Sequence, residues 1–258
     1  MSAGALTVFK AANGVGTITL NRPERHNSLV PELLESLIRD VASAAGANLR
    51  ALVLAANGRS FSTGGDVAAF FEVTPSERGG YAGRIVGALN RAILALFDLP
   101  FPVVGRVHGP VTGGSLGLVL ACDLVVVAPA AFFQPYYVDV GFSPDGGWSA
   151  LLPERIGPAK ARMIQLLNRR ISAAEAVEWG IATTLVEPAD LDPAIGAWLE
   201  KLGSKVSSAL TCTKVRLLPP DRRAAYAAEL ESERRSFVAQ IASAAAHEGM
   251  ARFLRRPA

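Results

Sequence analysis

An α/β fold, a largely parallel sheet followed by a helical tail, is what the 258-residue chain predicts, and three observations carry it. Short β-branched and apolar runs alternate with stretches of helical periodicity as far as Val186. Two of those runs pass through a glycine pair directly into a helix. From Asp190 onward helix follows helix with no further strand. Half of the residues are hydrophobic, enough to bury a large core in one domain.

The elements follow in order. Leu6 to Phe9 and Thr17 to Leu20 flank Asn13-Gly14, so the chain opens on a β-hairpin. After the polar loop 21–28, Pro31 suits a first helical turn, and Leu34, Leu37, Ile38, Val41 and Ala45 keep helical spacing up to Gly46. Residues 51–55 (ALVLA) read as a buried strand, followed by Phe61-Ser-Thr-Gly-Gly-Asp66 and a helix from Val67 that Asp66 is suited to cap. A long helix covers 76–98, with Ile85, Leu89, Ile93, Leu96 and Phe97 on one face; Phe70, Phe71 and Glu72 precede it as core or lid packing. Val103, Val104 and Val107 form the next strand. Gly109, Pro110, Gly113 and Gly114 make a turn, and Leu116, Leu118, Val119 and Leu120 resume as a buried helix. Then come a strand at 124–127, a short helix at 148–152, a helix at 158–168, a capping box at Ser172 and Glu175, and a strand at 183–186. Helices over 190–202, 205–218 and 221–246 complete the chain, broken at Pro219-Pro220.

A glycine at a helix start has no Cβ, so its N–H can face a ligand oxygen with the positive end of the helix dipole behind it. Gly65 and Gly114 both follow the strand, glycine pair, helix pattern, and their two N–H groups can converge on one carbonyl oxygen. The alternative is a tight turn needing glycine for steric reasons alone.

With NRPERHNSL at 21–29, FSTGGDV at 61–67, HGPVTGGSLGL at 108–118, ISAAEAVEWGI at 171–181 and HEGMARFLRR at 247–256, the chain resembles the enoyl-CoA hydratase/isomerase (crotonase) superfamily over nearly its whole length. The resemblance implies a crotonase-like ββα spiral core over 1–190 and a C-terminal helical oligomerisation region over 191–258, assembled as a homotrimer or homohexamer. It implies an acyl-CoA thioester substrate, with CoA entering as part of the substrate and no metal or redox cofactor. It places the backbone around Arg25, His26 and Ser28 along the CoA nucleotide, with Arg25 a candidate for a phosphate. Thr63, Gly64, Gly65, Asp66, Val67, Gly114, Tyr137 and Phe253 complete the implied binding set.

The oxyanion pair does not choose the reaction; the acid/base groups over the acyl carbons do. Hydratases of the family use two glutamates, whose positions are Gly117 and Tyr137 here, and a phenol is a poor base at neutral pH. What remains is Asp145, in Ser-Pro-Asp-Gly-Gly, which resembles the loop of family isomerases whose aspartate moves a proton between carbons. Partial burial among Phe142, Trp148 and Tyr137 is expected to raise its pKa toward neutrality; its alternative role is to cap the helix beginning near Gly147. The expected reaction is therefore a 1,3-proton shift in an enoyl-CoA, with 2-enoyl-CoA hydration and noncatalytic acyl-CoA binding as alternatives. Dehalogenation by a related aspartate needs a water-activating histidine, and His108 reads as a packed loop residue, as His26 and His247 read as structural or exposed.

Composition excludes other classes. With net charge +3 and scattered basic residues, no nucleic-acid surface is indicated. The densest basic group, Arg252, Arg255 and Arg256, is either a solvated helix end or a CoA-phosphate contact. The longest apolar run, 116–127, is broken by Asp123 and too short for a bilayer. MSAGALTVFK lacks the marks of a leader, so the cytoplasm is the expected location. Cys122 and Cys212 are too few and far apart for a disulfide framework or zinc site, and both read as buried small hydrophobes.

Overall fold

The computed structural model describes residues 4–255. Strands β1 (Thr7–Ala12) and β2 (Val15–Leu20) pair antiparallel. Asn13 and Gly14 turn between them with φ of 52° and 76°, the left-handed pair that a two-residue hairpin requires. Helix α1 (Pro31–Ala45) buries Leu33, Leu34, Leu37, Val41 and Ala44, and returns the chain to β3 (Ala51–Ala56), parallel to β2. Helices α2 (Val67–Glu72) and α3 (Pro75–Phe97) lead to β4 (Val103–Val107), parallel to β3. Next come β5 (Val111–Thr112), a 3-10 turn at Gly113–Ser115, α4 (Leu116–Leu120) and β6 (Leu124–Val127), parallel to β4.

Beyond β6 lie β7 (Phe132–Gln134), α5 (Tyr137–Val140), α6 (Leu152–Ile156), α7 (Pro158–Leu166), β8 (Ile171–Ser172), α8 (Ala173–Glu178) and β9 (Thr184–Leu185). The helices α9 (Leu191–Gly203), α10 (Ser207–Leu217), α11 (Pro220–Ile241) and α12 (Ala244–Leu254) follow. One sheet of six strands runs β1-β2-β3-β4-β6-β9, all parallel after the hairpin, and a smaller sheet of three runs β5-β7-β8. The central strand β3 is buried on both faces: Leu52 and Leu54 join the main core with α1 and α3, while Val53 joins Val104, Val126, Leu191 and Ile195 under α9. No described helix is long and apolar enough to cross a membrane.

Three expectations need correction, and one small sheet was not expected. The helix expected at 148–152 starts at Leu152 instead, and the N–H groups of Gly147, Ser149 and Ala150 ahead of it go to the Glu233 carboxylate. The helix expected over 221–246 is two, since Ser243 accepts from the Ala246 N–H and starts α12 afresh. The small sheet is built from strands of two or three residues, too short for periodicity to reveal. Cys122 is buried but Cys212 is exposed, because α10 has no buried residue at all.

Candidate active site

The two glycine loops leave the ends of adjacent parallel strands and are laced together. Ser62 N–H donates to Pro110 O (3.1 Å), Thr112 N–H to Ser62 O (3.1 Å), and Ser115 Oγ to Ser62 O (2.9 Å). Gly64 has φ of 75°, and a Cβ there would stand 2.6 Å from Thr112 O, so no other residue fits between the loops. Leu29 brackets the next position, donating to Gly64 O and accepting from the Asp66 N–H. The Gly65 N–H has no protein acceptor among the described residues. Gly114 is the second residue of its 3-10 turn, ahead of the first bond that turn can make. Both glycines border one cavity of about 590 Å³.

Asp145 borders the same cavity and is 6% exposed. A Cβ built on Gly114 would lie 3.0 Å and 3.2 Å from its two carboxyl oxygens, so the acid is packed directly on the candidate oxyanion donor. Tyr137 Oη donates to Asp145 Oδ1 (2.5 Å) and to its backbone oxygen (2.9 Å), which leaves Oδ2 without a side-chain donor. Burial pushes the Asp145 pKa up to about 7; the Tyr137 hydrogen bond works against this and the charge of Glu233 adds to it. The expected rise is present, and its cause is nearly complete rather than partial burial. Burial and the Asp145 charge hold the Tyr137 phenol well above its ordinary pKa, so it donates and does not act as a base.

The loop carrying Asp145 is pressed onto the glycine turn. A Cβ at Gly146 would sit 2.3 Å from Gly114 O, and Trp148, fully buried, donates its indole N–H to Gly113 O (2.7 Å). The helix-capping role for Asp145 is overturned. The free N–H groups of Gly147, Ser149 and Ala150 go to Glu233 of α11. At Gly117 a Cβ would meet Ile93 Cδ1 at 2.3 Å and Gly146 O at 2.5 Å, so the place from which a hydratase glutamate would project is filled.

On the side assigned to CoA, Arg25, His26, Ser28, Thr63, Asp66 and Val67 line the cavity. Gly64 does not; it serves the contact between loops. Arg25 reaches both oxygens of Asp66 (3.2 and 3.0 Å), and Arg22 bonds Asp66 (3.3 Å) and Ser28 Oγ (2.7 Å). Burial alone would raise the Asp66 pKa, but the Arg25 bond, the capping Ala69 N–H and the two guanidinium charges together hold it low. His26 is left-handed (φ 52°) with Nδ1 3.0 Å from Ser60 Oγ. Phe253 packs edge-on to Tyr136, and Phe70, Phe142 and Phe237 meet with ring centroids 5.1–5.8 Å apart.

His108 donates Nε2 to Gly58 O (2.8 Å), and burial lowers its pKa; His247 stacks on Phe71. Arg252 and Arg255 end α12, and Arg256 lies outside the described residues. Among the described residues no group of three His, Cys, Asp or Glu side chains is placed to hold a metal ion. Glu233, Arg22 and Phe237 are the site residues the sequence argument missed. Glu233 and Phe237 had a legible signal: with Leu230 and Ile241 they fall at spacings of three and four along α11, which put one acid on a buried apolar face.

The family model described as enoyl-CoA hydratase/isomerase matches residues 10–257. The chain is 31% identical over 186 residues to a trans-2-decenoyl-[acyl-carrier-protein] isomerase of Streptococcus mutans, covering 72% of this chain and 71% of that one. It is 32% identical over 196 residues to 4-chlorobenzoyl coenzyme A dehalogenase-1 of an Arthrobacter species, covering 74% and 70%. An enoyl-CoA hydratase structure from Bacillus halodurans superposes with a TM-score of 0.90 over 96% of this chain and 99% of that one; at 23% identity it shows the fold alone, the crotonase spiral. Relatives of nearly equal identity thus carry different names for their reactions, while the family itself is common to them. By sequence over almost its whole length and by fold, this chain belongs to the enoyl-CoA hydratase/isomerase family.

Proposed function

We propose that the protein moves a double bond in an enoyl-CoA thioester by a 1,3-proton shift. The observation that carries this is the buried Asp145 carboxyl, packed on Gly114, with a pKa of about 7. The thioester oxygen sits on the Gly65 and Gly114 N–H groups, each typically worth about a hundredfold to a thousandfold in rate. Asp145 takes a proton from carbon 2 of a 3-enoyl thioester, the electron pair moves onto the thioester oxygen, and the same proton returns to carbon 4, leaving the conjugated 2-enoyl ester. Tyr137 occupies Oδ1, so Oδ2 is the oxygen that carries the proton. The two glutamates of hydration have no counterpart at Gly117 or Tyr137, and the Gly117 position has no room for one. The aspartate alone also fits dehalogenation, as in the Arthrobacter relative, but the three histidines are engaged with Ser60, Gly58 and Phe71.

The reading extends to a cytoplasmic homotrimer or homohexamer with residues 191–258 as its helical assembly region. The exposed Leu166 and Leu167 at the end of α7 and Val206, Val215 and Leu217 around α10 support the assembly.

The test is a parallel assay with a 3-enoyl-CoA and a 2-enoyl-CoA, following the absorbance of the conjugated thioester. Conjugation appearing from the 3-enoyl ester is the expected result. Loss of conjugation from the 2-enoyl ester, without the first signal, would make the protein a hydratase. Tight binding of both esters with no change in either would make it a binder.

A further inference from the structure

Glu233 is a carboxylate 5% exposed, far from Asp145 in sequence, with no ion pair among the described residues. Burying a charge without a counter-ion is costly unless its oxygens are fully hydrogen-bonded. Here they are: Oε1 accepts from Ser149 N–H (2.7 Å), Ser149 Oγ (2.7 Å) and Ala150 N–H (2.9 Å), and Oε2 from Gly147 N–H (2.8 Å). All four partners are donors and favour the ionised form, against the burial that pushes the Glu233 pKa up. All lie within five residues after Asp145, on the loop that presses Gly146 against Gly114 and Trp148 against Gly113.

We propose that Glu233 is a positioning residue for the reaction, clamping the backbone of residues 147–150 so that the Asp145 carboxyl stays seated on Gly114, and facing that carboxyl with a fixed negative charge. The proposal rests on the reading of Asp145 as proton carrier. The charge raises the Asp145 pKa, after burial and against the Tyr137 hydrogen bond. Tyr137 and Glu233 are the side chains that shift the Asp145 carboxyl. Helix α11 is then part of its own subunit's active site twice over, since Phe237, one turn on from Glu233, lines the cavity.

Glu233→Gln tests this sharply, because the amide keeps Oε1 but turns an N–H toward the Gly147 N–H, and it removes the charge. The expected result is a KM within about threefold of wild type and a kcat lower by about tenfold to a hundredfold, the range seen when a reacting group is slightly misplaced. The Asp145 carboxyl, followed as the infrared band that disappears in Asp145→Asn, should titrate at lower pH than in wild type. Glu233→Asp keeps the charge but is too short to reach both ends of the loop, and should lose kcat with a smaller shift of that band. Wild-type kcat together with an unmoved Asp145 titration in Glu233→Gln overturns the proposal. Should that variant fail to fold, wild-type kcat in both Glu233→Asp and Ser149→Ala overturns it equally. Because the infrared titration needs no turnover, the two readings fail separately: a wild-type protein that does not isomerise sinks the reaction, and an unmoved band sinks the role of Glu233.

Discussion

At the scale of single residues, Asp145 sets function against stability. Its carboxyl holds a proton up to about pH 7 in the folded chain, whereas an unfolded aspartate loses it near pH 4. Between those values the folded state binds the extra proton, so Asp145 lowers stability progressively as pH rises from about 4 to about 7. Asp145→Asn keeps an Oδ1 for Tyr137 and removes the titration. Thermal unfolding should show the variant more stable than wild type by about 1–3 kcal/mol at pH 8, with the gap closing toward pH 5. Turnover should vanish in the same variant while CoA-ester binding persists. In the wild type kcat should rise with pH through a midpoint near 7, since the carboxylate is the base. A flat profile over that range, or turnover undiminished in Asp145→Asn, would remove Asp145 from the chemistry.

Among elements, the decisive packing is between the start of α4 and the loop before α6. Gly117 faces the α4 side of that contact, and an added methyl there would meet Ile93 Cδ1 and the Gly146 carbonyl at 2.3 and 2.5 Å. A flexible side-chain end can give way; a backbone carbonyl in a clamped loop cannot do so without moving Asp145. Gly117→Ala is therefore expected to cost about 1–3 kcal/mol in chemical denaturation and to lower kcat more than it raises KM. A variant as stable and as active as wild type would show that the two elements are not in this contact. The same crowding explains why the sequence argument could name the missing glutamate but not its cause.

For the whole molecule, the unburied helix α10 and the apolar residues around it, with Leu217 left 74% exposed, are the surface that the proposed assembly would cover. Light scattering should give a trimer or hexamer. The paired change Val215→Glu and Leu217→Glu should shift it to smaller species with an unchanged circular dichroism spectrum; a wild-type protein that scatters as a monomer at all concentrations would contradict the assembly. The C-terminal helices also have an inward role. Leu230, Phe237 and Ile241 of α11 are buried against the protein's own core, and Phe253 of α12 reaches the cavity.

What the sequence determined by itself is what local chemistry dictates. The hairpin at Asn13-Gly14, the caps at Asp66 and Ser172, the parallel strands and the glycines at Gly65 and Gly114 each follow from backbone freedom or apolar period within a few residues. Asp145 was legible through the family resemblance, which sets Gly117 and Tyr137 at the two glutamate positions and likens the Ser-Pro-Asp-Gly-Gly loop to that of aspartate-using isomerases. Only the tertiary structure decided where charges end up. Arg25 pairs with Asp66, Cys212 faces solvent, and Glu233 reaches from α11 to a loop 83 to 86 residues away. Such pairings are set by which surfaces the fold brings together. The apolar spacing around Glu233 marks the acid as buried, but not which N–H and O–H donors wait at its end.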